Sequence, residues 1–210
     1  MAGAFWCLVE DDRQGNPKKV MAEVLGEAGR LAARTGGQAE AVWLTDKASE
    51  AGLTQLAEWG AKRIVLAEDA AFAPYRGEVW TPVLAELVQK ESPQAVFGAV
   101  TTRQREVMAR LAARLGAGIS ADSVALAVED GKLVATRPVY AGKLLSKVTW
   151  AKSPWLATLR PSFSSPPWAL IALSISAFGS GAWAYARPPS PSTSAPATTG
   201  DRKLRMTTSG

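Results

Sequence analysis

Four arginines lie in one short stretch of the sequence, and their side chains are the ones best suited to binding an anion. They are Arg103, Arg105, Arg110 and Arg114. On a helix the pairs 103/110 and 110/114 project from one side, which suits an anion site or a partner contact, because arginine presents a planar fork of donors. Glu106 precedes Arg110 by four residues, the spacing of an exposed helical ion pair, and this spacing favours a solvated face.

The composition argues against several kinds of catalytic centre. The chain has no histidine and one cysteine, Cys7. A Ser-His-Asp triad and an imidazole-ligated zinc site both require histidine, and one thiol cannot replace it. We therefore predict no catalytic residue and no metal site. Cys7 lies in the first apolar run, so we expect it to be buried, inert and without a disulfide partner.

The charge distribution gives no sign of nucleic-acid binding. Residues 1–160 carry 20 basic and 18 acidic side chains, so most of the formal charge of +5 comes from the rest of the chain. A basic stripe with interleaved aromatic residues is absent from the sequence, so we expect no nucleic-acid partner. The first residues lack the basic start of a signal peptide, which predicts a cytoplasmic protein.

The segment Glu10–Pro17 follows the first apolar run, where a dinucleotide-binding fold keeps its glycine-rich phosphate turn. It contains one glycine and three acidic residues. Such a loop gives neither the close backbone approach nor the electrostatic field that a pyrophosphate needs, and no GxxxxGK[ST] motif occurs elsewhere. We predict a solvated loop.

Four strand–helix units in succession must position these residues. The predicted strands are Ala4–Val9, Ala41–Leu44, Arg63–Ala67 and Ala95–Val100, and the predicted helices are Lys18–Arg34, Ala51–Trp59, Val79–Lys90 and Arg103–Leu115. This alternation predicts an α/β domain with a Rossmann-like parallel sheet flanked by helices, similar to the adenine-nucleotide alpha-hydrolase fold.

The pattern changes after Gly118. Two runs, Ser123–Val128 and Leu133–Tyr140, flank an Asp-Gly turn and predict an antiparallel hairpin. Leu144–Trp150 and Trp155–Leu159 are two further candidate strands, so we expect the parallel core to carry an antiparallel extension. Asp122 and Ser123 are interpreted as polar residues at a strand start.

Two stretches resemble the alpha subunit of electron-transfer flavoproteins: Gly98–Leu126 (GAVTTRQREVMARLAARLGAGISADSVAL) and Thr136–Gly142 (TRPVYAG). The matching positions include a helix-start arginine, an aspartate after a Gly-Ala-Gly turn and an Arg-Pro-x-Tyr-Ala-Gly motif. The resemblance marks these residues as family-motif or partner-facing: Arg105, Glu106, Arg110, Asp122, Arg137, Tyr140 and Gly142. Gln104 and Glu106 depart from the family's common glycine and aspartate, and Lys143 from a frequent asparagine.

The resemblance implies a heterodimer with a beta subunit that carries electrons from acyl-CoA and related dehydrogenases to a quinone reductase, with FAD as the carrier. In that family FAD is held mainly by a carboxy-terminal domain of alpha, whereas the amino-terminal domain packs against beta. The resemblance runs through about residue 163, and no FAD-binding residue can be transferred to this sequence. It therefore predicts residues 1–163 as an amino-terminal alpha-type domain, not catalytic by itself and without bound FAD.

Residues 164–210 have a different composition, rich in Pro, Ser, Ala and Thr. They are predicted to be a low-complexity tail, disordered or out of frame, in a truncated alpha subunit. Trp168–Ala186 is nearly long enough to cross a bilayer, but serine and glycine dilute it, so a membrane anchor is the less favoured interpretation. A nucleotide-binding α/β module without a redox role remains the alternative function.

Overall fold

The computed structural model describes residues 3–12, 14–160 and 204–208. Within them the helices are α1 (Val20–Thr35), α2 (Glu50–Glu58), α3 (Gly77–Glu91) and α4 (Thr102–Leu115). The strands are β1 (Ala4–Leu8), β2 (Gln38–Thr45), β3 (Arg63–Glu68), β4 (Ala95–Ala99), β5 (Ile119–Ser123), β6 (Ala125–Glu129), β7 (Lys132–Val139), β8 (Leu144–Thr149), β9 (Trp155–Leu159) and β10 (Leu204–Thr208).

The main sheet has the strand order β10-β3-β2-β1-β4-β9-β5. The pairings β3-β2, β2-β1, β1-β4, β4-β9 and β9-β5 are parallel, and β10 joins the edge strand β3 in the antiparallel direction. A separate antiparallel sheet contains β6, β7 and β8. The predicted α/β class with a Rossmann-like parallel sheet is confirmed.

Strand β1 shows why the sheet is covered on both faces. Its side chains alternate, so Phe5 and Cys7 enter the core layer beneath α1, while Trp6 and Leu8 enter the layer beneath α3 and α4. All four are fully buried, which requires apolar residues at successive positions, as in the central strands of parallel sheets. Burial also raises the pKa of the Cys7 thiol to about 12, so the predicted buried, unreactive cysteine is confirmed as buried.

The helix ends follow the local signals in the sequence. Thr101 caps α4 by accepting a hydrogen bond from the Gln104 backbone N–H at 3.2 Å, which satisfies one of the free donors of the first turn. Gly36 and Gly116 end α1 and α4 with φ of 71° and 59°, a backbone conformation that glycine adopts without a steric penalty. The four predicted helices are therefore found within one or two residues of their expected bounds.

Two predicted elements occupy different places in the structure. Trp155–Leu159 is not part of an antiparallel extension, because it forms β9 between β4 and β5 in the parallel sheet. All five of its residues are buried, as in a strand covered on both faces. Asp122 and Ser123 do not start a strand. They end β5, which comes directly before β6.

The carboxy-terminal part of the chain is described only in part. Leu204–Thr208, which the sequence places in the low-complexity tail, forms β10 beside β3. The candidate membrane segment Trp168–Ala186 lies outside the described residues. Among the helices that are described, none combines the length and the apolar character required to cross a bilayer.

Candidate functional site

The carboxyl ends of β5 and β9 bring an aspartate and an arginine into a two-pronged ion pair. Arg160 Nε donates to Asp122 Oδ1 at 2.9 Å, and Arg160 Nη2 donates to Oδ2 at 2.5 Å. The backbone N–H of Asp122 also donates to the Thr158 hydroxyl at 2.9 Å, which fixes the carboxylate against β9. Such bidentate pairs are geometrically specific, because the guanidinium fork matches both carboxylate oxygens.

The positive charges of two further arginines act on the same carboxylate. Hydrogen bonding from Arg160 is the main cause that lowers the pKa of Asp122, and the positive charges of Arg105 and Arg137 lower it further. Arg105 lies in the first turn of α4 and Arg137 lies on β7. We call these four residues, Asp122, Arg105, Arg137 and Arg160, the arginine cluster. It unites three of the predicted motif residues, although they lie on three different elements.

The arginine cluster predicts a pH-dependent contribution to stability. Because the pKa of Asp122 is lower in the folded chain than in the unfolded chain, its stabilising effect is present above the unfolded value, about 3.9. That effect is lost as the pH falls through the lower, folded value. We expect Asp122→Asn to reduce the free energy of unfolding at pH 7 by about 0.5–1 kcal/mol, because the pair is partly exposed and screened by solvent.

Urea unfolding of the wild-type chain and of Asp122→Asn at a series of pH values checks this expectation. The difference in the free energy of unfolding between the wild-type chain and Asp122→Asn should become smaller below pH 4. Asp130→Asn is the matched control, since Asp130 also has a positive φ, 50° against 59° for Asp122, and lies in the Asp-Gly turn. An equal difference in the free energy of unfolding at pH 7 and at pH 2.5 would show that the charge of the Asp122 carboxylate does not contribute to stability.

The remaining predicted arginines on α4 have other partners. Arg110 Nε donates to Glu106 Oε1 at 2.9 Å on the exposed face, so the predicted helical ion pair is confirmed. Arg103 does not share that exposed face. Its guanidinium lies over the rings of Tyr75 and Trp80, 5.4 and 5.5 Å from their centroids, and 3.5 Å from Asp11. Arg103 and Arg110, which the sequence predicted on one side of α4, therefore have different surroundings: Arg103 packs on two aromatic rings, and Arg110 lies on the exposed face.

The loop predicted to be solvated is partly buried. Glu10 and Asp11 are only 3% and 7% exposed. Glu10 accepts hydrogen bonds from Lys18 Nζ and Thr101 Oγ1, both at 2.5 Å, and Asp11 accepts one from Trp43 Nε1 at 3.1 Å. Buried carboxylates require such partners, and composition alone does not reveal them. Glu10 and Asp11 point inward at the end of β1, whereas Asp12 is exposed and accepts hydrogen bonds from the loop backbone at Gln14 and Asn16.

A cavity of about 630 Å³ opens at the carboxyl ends of β1 and β2, beside the start of α4. Its lining includes the side chains of Asp11, Asp46, Tyr75, Trp80, Arg103 and Glu106. This is the usual ligand position in an open α/β sheet. However, three carboxylates face a single arginine that already pairs with Asp11. The resulting field repels phosphate groups and disfavours the alternative nucleotide-binding function.

Burial, together with the negative charge and hydrogen bonding of Glu106, raises the pKa of Tyr75 to about 12. The Tyr75 hydroxyl therefore stays protonated through the physiological range. It donates to the Arg103 carbonyl at 3.3 Å, so it ties the loop before α3 to the first turn of α4. This hydroxyl is a structural donor and is not poised for acid–base chemistry.

The other two predicted motif residues lie at the tip of a hairpin. Tyr140 and Gly142 belong to the four-residue turn between β7 and β8, where Val139 pairs with Leu144. Tyr140, Leu144 and Leu145 are 76%, 48% and 48% exposed, and they are the large apolar side chains that the described residues leave open to solvent. We call residues 139–145 the hairpin tip. Its large exposed side chains are apolar, with Lys143 between them in the turn.

Arg160 was not singled out by the sequence, although it completes the arginine cluster. The sequence placed it at the end of the domain, directly after a predicted strand. Only the parallel pairing of β9 with β5 places Arg160 beside Asp122, because the carboxyl ends of neighbouring parallel strands meet at one edge of the sheet. That pairing is not visible in the sequence pattern, which suggested an antiparallel strand at this position.

The described residues form a Rossmann-like α/β domain that carries charged side chains, and among those residues no glycine-rich phosphate turn, at the carboxyl edge of its sheet. The sequence model of the electron transfer flavoprotein domain matches residues 5–194. The chain therefore belongs to the electron transfer flavoprotein domain family. The resemblance seen in residues 98–126 and 136–142 is confirmed for the family and for its alpha-type amino-terminal part.

Named relatives agree with this assignment. The chain is 37% identical over 161 residues to electron transfer flavoprotein subunit alpha of Syntrophomonas wolfei, covering 77% of this chain and 49% of that protein. It is 34% identical to protein FixB of Clostridium saccharobutylicum, covering 74% and 47%. It is 32% identical to the alpha subunit of Clostridium acetobutylicum, covering 74% and 47%. The chain spans about half the length of the curated relatives it matches.

Proposed function

We propose that this chain is an alpha-type electron transfer flavoprotein domain whose role is to pair with a beta subunit. The observation that carries the proposal is the agreement between family membership, the alpha-subunit names of the relatives and an exposed apolar hairpin tip on the described part of the chain. It is a scaffold and a carrier component, not a catalyst by itself. Residues 1–163 form the body of this domain, and Leu204–Thr208 adds strand β10 to its sheet from the low-complexity tail.

The hairpin tip has the character of a protein interface. Leu144 and Leu145 are consecutive residues on β8, so their side chains point to opposite faces of the strand. Because both are about half exposed, neither face at the end of the hairpin is covered by the rest of the domain. Exposed aromatic and aliphatic side chains at one projecting point suit insertion into a groove on a partner.

The backbone of the hairpin tip supports the same role. Tyr140 and Ala141 have φ values of 50° and 55°, and Gly142 has φ of 85°. Each non-glycine residue in this left-handed region costs about 1–2 kcal/mol. Strain of this kind is kept where it presents a side chain for a function. Here it presents Tyr140, an anchor residue type that is frequent in binding hot spots.

The partner surface that suits the hairpin tip is an apolar groove with an acidic rim. Lys143 and Lys147 lie on and beside the tip. Lys147 is already paired with Glu129 at 3.0 Å, whereas Lys143 is exposed in the turn. Complementary carboxylates on the beta subunit would steer its approach and set its orientation.

The flavin would be held outside the described part of the chain. FAD carries a doubly negative pyrophosphate, whereas the cavity beside β1 and β2 is lined by three carboxylates, so that cavity does not fit it. In the complete heterodimer FAD supplies the redox chemistry, with acyl-CoA and related dehydrogenases as electron donors and a quinone reductase as acceptor. The residues described here contribute partner binding, and we expect the purified chain to be colourless. Cytoplasmic localisation belongs to the same proposal.

Co-purification tests this function. The full chain is co-expressed with a tagged electron transfer flavoprotein beta subunit from the same organism, and the eluted material is analysed by light scattering. The expected result is a 1:1 complex that survives size-exclusion chromatography. Recovery of the tagged subunit alone, with the chain folded and soluble in the flow-through, would refute the pairing role.

A further inference from the structure

Positive charge is in excess at the carboxyl ends of β5 and β9. The arginine cluster contains three guanidinium groups and one carboxylate. Backbone hydrogen bonds bring its elements together: the N–H of Val124, directly after β5, donates to the Thr136 carbonyl beside Arg137 at 2.8 Å, and the N–H of Val100, just before α4, donates to the Leu159 carbonyl beside Arg160 at 2.9 Å. Both oxygens of that carboxylate, Asp122 Oδ1 and Oδ2, are bound by Arg160. Arg105 is exposed on α4, and no ion pair or hydrogen bond joins its side chain to another described residue. Two of the three positive charges are therefore not neutralised by an ion pair within the described part of the chain.

Arg137 supplies the second observation. Its Nε atom is buried and has no hydrogen-bond partner among the described residues. Leaving a buried donor unpaired costs about 1–3 kcal/mol, more when the group is charged. Native proteins retain few such groups, and those retained are explained by strain, by a functional role, or by a bound water or ion. The unpaired donor belongs to one of the two guanidinium groups that no ion pair neutralises.

We infer that the arginine cluster is a binding site for a small doubly charged oxyanion, a phosphate or a dicarboxylate, held between Arg105 and Arg137. Each guanidinium offers five N–H donors in a planar fork, which matches the oxygen atoms of either anion. Two negative charges balance the two guanidinium groups that Asp122 does not neutralise. The site lies at the carboxyl ends of parallel strands, where α/β sheets place ligands.

This site is separate from the two surfaces already described. The cavity beside β1 and β2 is acidic and lies at the ends of other strands, and the hairpin tip is apolar. The inference does not depend on the beta subunit, because the ligand is small and the residues belong to this chain alone. Anion binding without beta pairing, or beta pairing without anion binding, would separate the two proposals.

Nuclear magnetic resonance of the arginine side chains provides the test. The full chain, labelled with ¹⁵N, is titrated in low-salt buffer with inorganic phosphate and, in a second series, with malonate. The expected result is a saturable shift of the Arg137 Nε–H resonance with at least one of the two anions. A response to phosphate alone assigns a phosphate ligand, and a response to malonate alone assigns a dicarboxylate.

Two variants locate the site. Arg105→Ala removes an exposed side chain and leaves the fold intact, and we expect it to weaken anion binding about tenfold, the loss of one charge-assisted contact. Arg114→Ala, in the last turn of α4, is the matched control and should change the affinity by less than about twofold. The inference is overturned if neither anion gives a saturable shift, or if the two variants weaken binding equally.

Discussion

Tyr140→Gly should reduce the affinity for the beta subunit about 30-fold or more while leaving the domain folded. Tyr140 is 76% exposed in the isolated chain, so its side chain contributes little to folding. At an interface an anchoring tyrosine contributes about 2 kcal/mol or more, which corresponds to this loss. Its φ of 50° is also relaxed by glycine, so the free energy of unfolding should stay equal or rise by up to about 1 kcal/mol. Isothermal titration calorimetry and urea unfolding measure the two effects.

Ala141→Gly is the matched control for this prediction. Ala141 is the neighbouring residue, with φ of 55°, so glycine relaxes the same kind of strain without removing an aromatic side chain. We expect its affinity for the beta subunit to stay within about threefold of the wild-type value. Equal losses in both variants would assign the effect to turn geometry, and no loss in Tyr140→Gly would remove Tyr140 from the interface.

Gln104→Met should destabilise the domain by about 2–4 kcal/mol. Gln104 is completely buried, and its side-chain amide joins two neighbouring strands of the sheet. Nε2 donates to the Leu8 carbonyl at 2.7 Å, and Oε1 accepts from the Ala99 backbone N–H at 2.5 Å. Methionine has a similar length and fills the same space, so the loss comes from two buried backbone groups deprived of these partners. Urea unfolding followed by tryptophan fluorescence measures it.

Gln89→Met supplies the control, because Gln89 is exposed on α3 and the same substitution there should change stability by less than about 0.5 kcal/mol. The surroundings of Gln104 are also adapted to it. A Cβ atom at Gly98 would lie 2.5 Å from Gln104 Oε1, so the close approach of the amide requires glycine at that position. A destabilisation below about 1 kcal/mol for Gln104→Met would show that water or rearranged backbone replaces the two bonds.

Much of the parallel core could be predicted from the sequence, because its signals are local. Apolar runs of strand length, helical spacing and glycine caps such as Gly36 and Gly116 depend on residues close in the chain. The resemblance over residues 98–142 added the family and the motif residues. These signals fixed the order of the first four strand–helix units and the helix bounds.

The missed features depend on contacts between distant residues. The place of β9 between β4 and β5 follows from pairing across the sheet, which a run of five apolar residues does not specify. The hydrogen-bond partners of Glu10 and Asp11 lie directly before α4, on β2 and shortly before α1, so the burial of these carboxylates has no local signature. Arg160 was missed for the same reason, because its partner Asp122 lies 38 residues earlier in the chain.

Hydrogen exchange tests most directly whether the hairpin tip is the surface that pairs with a beta subunit. Amide exchange is measured by mass spectrometry on the full chain, alone and with excess beta subunit, after light scattering has verified a 1:1 complex. We expect amides in residues 137–147 to exchange about tenfold or more slowly in the complex, while those of α1 are unchanged. A complex in which residues 137–147 exchange as in the free chain, with protection elsewhere, would contradict it.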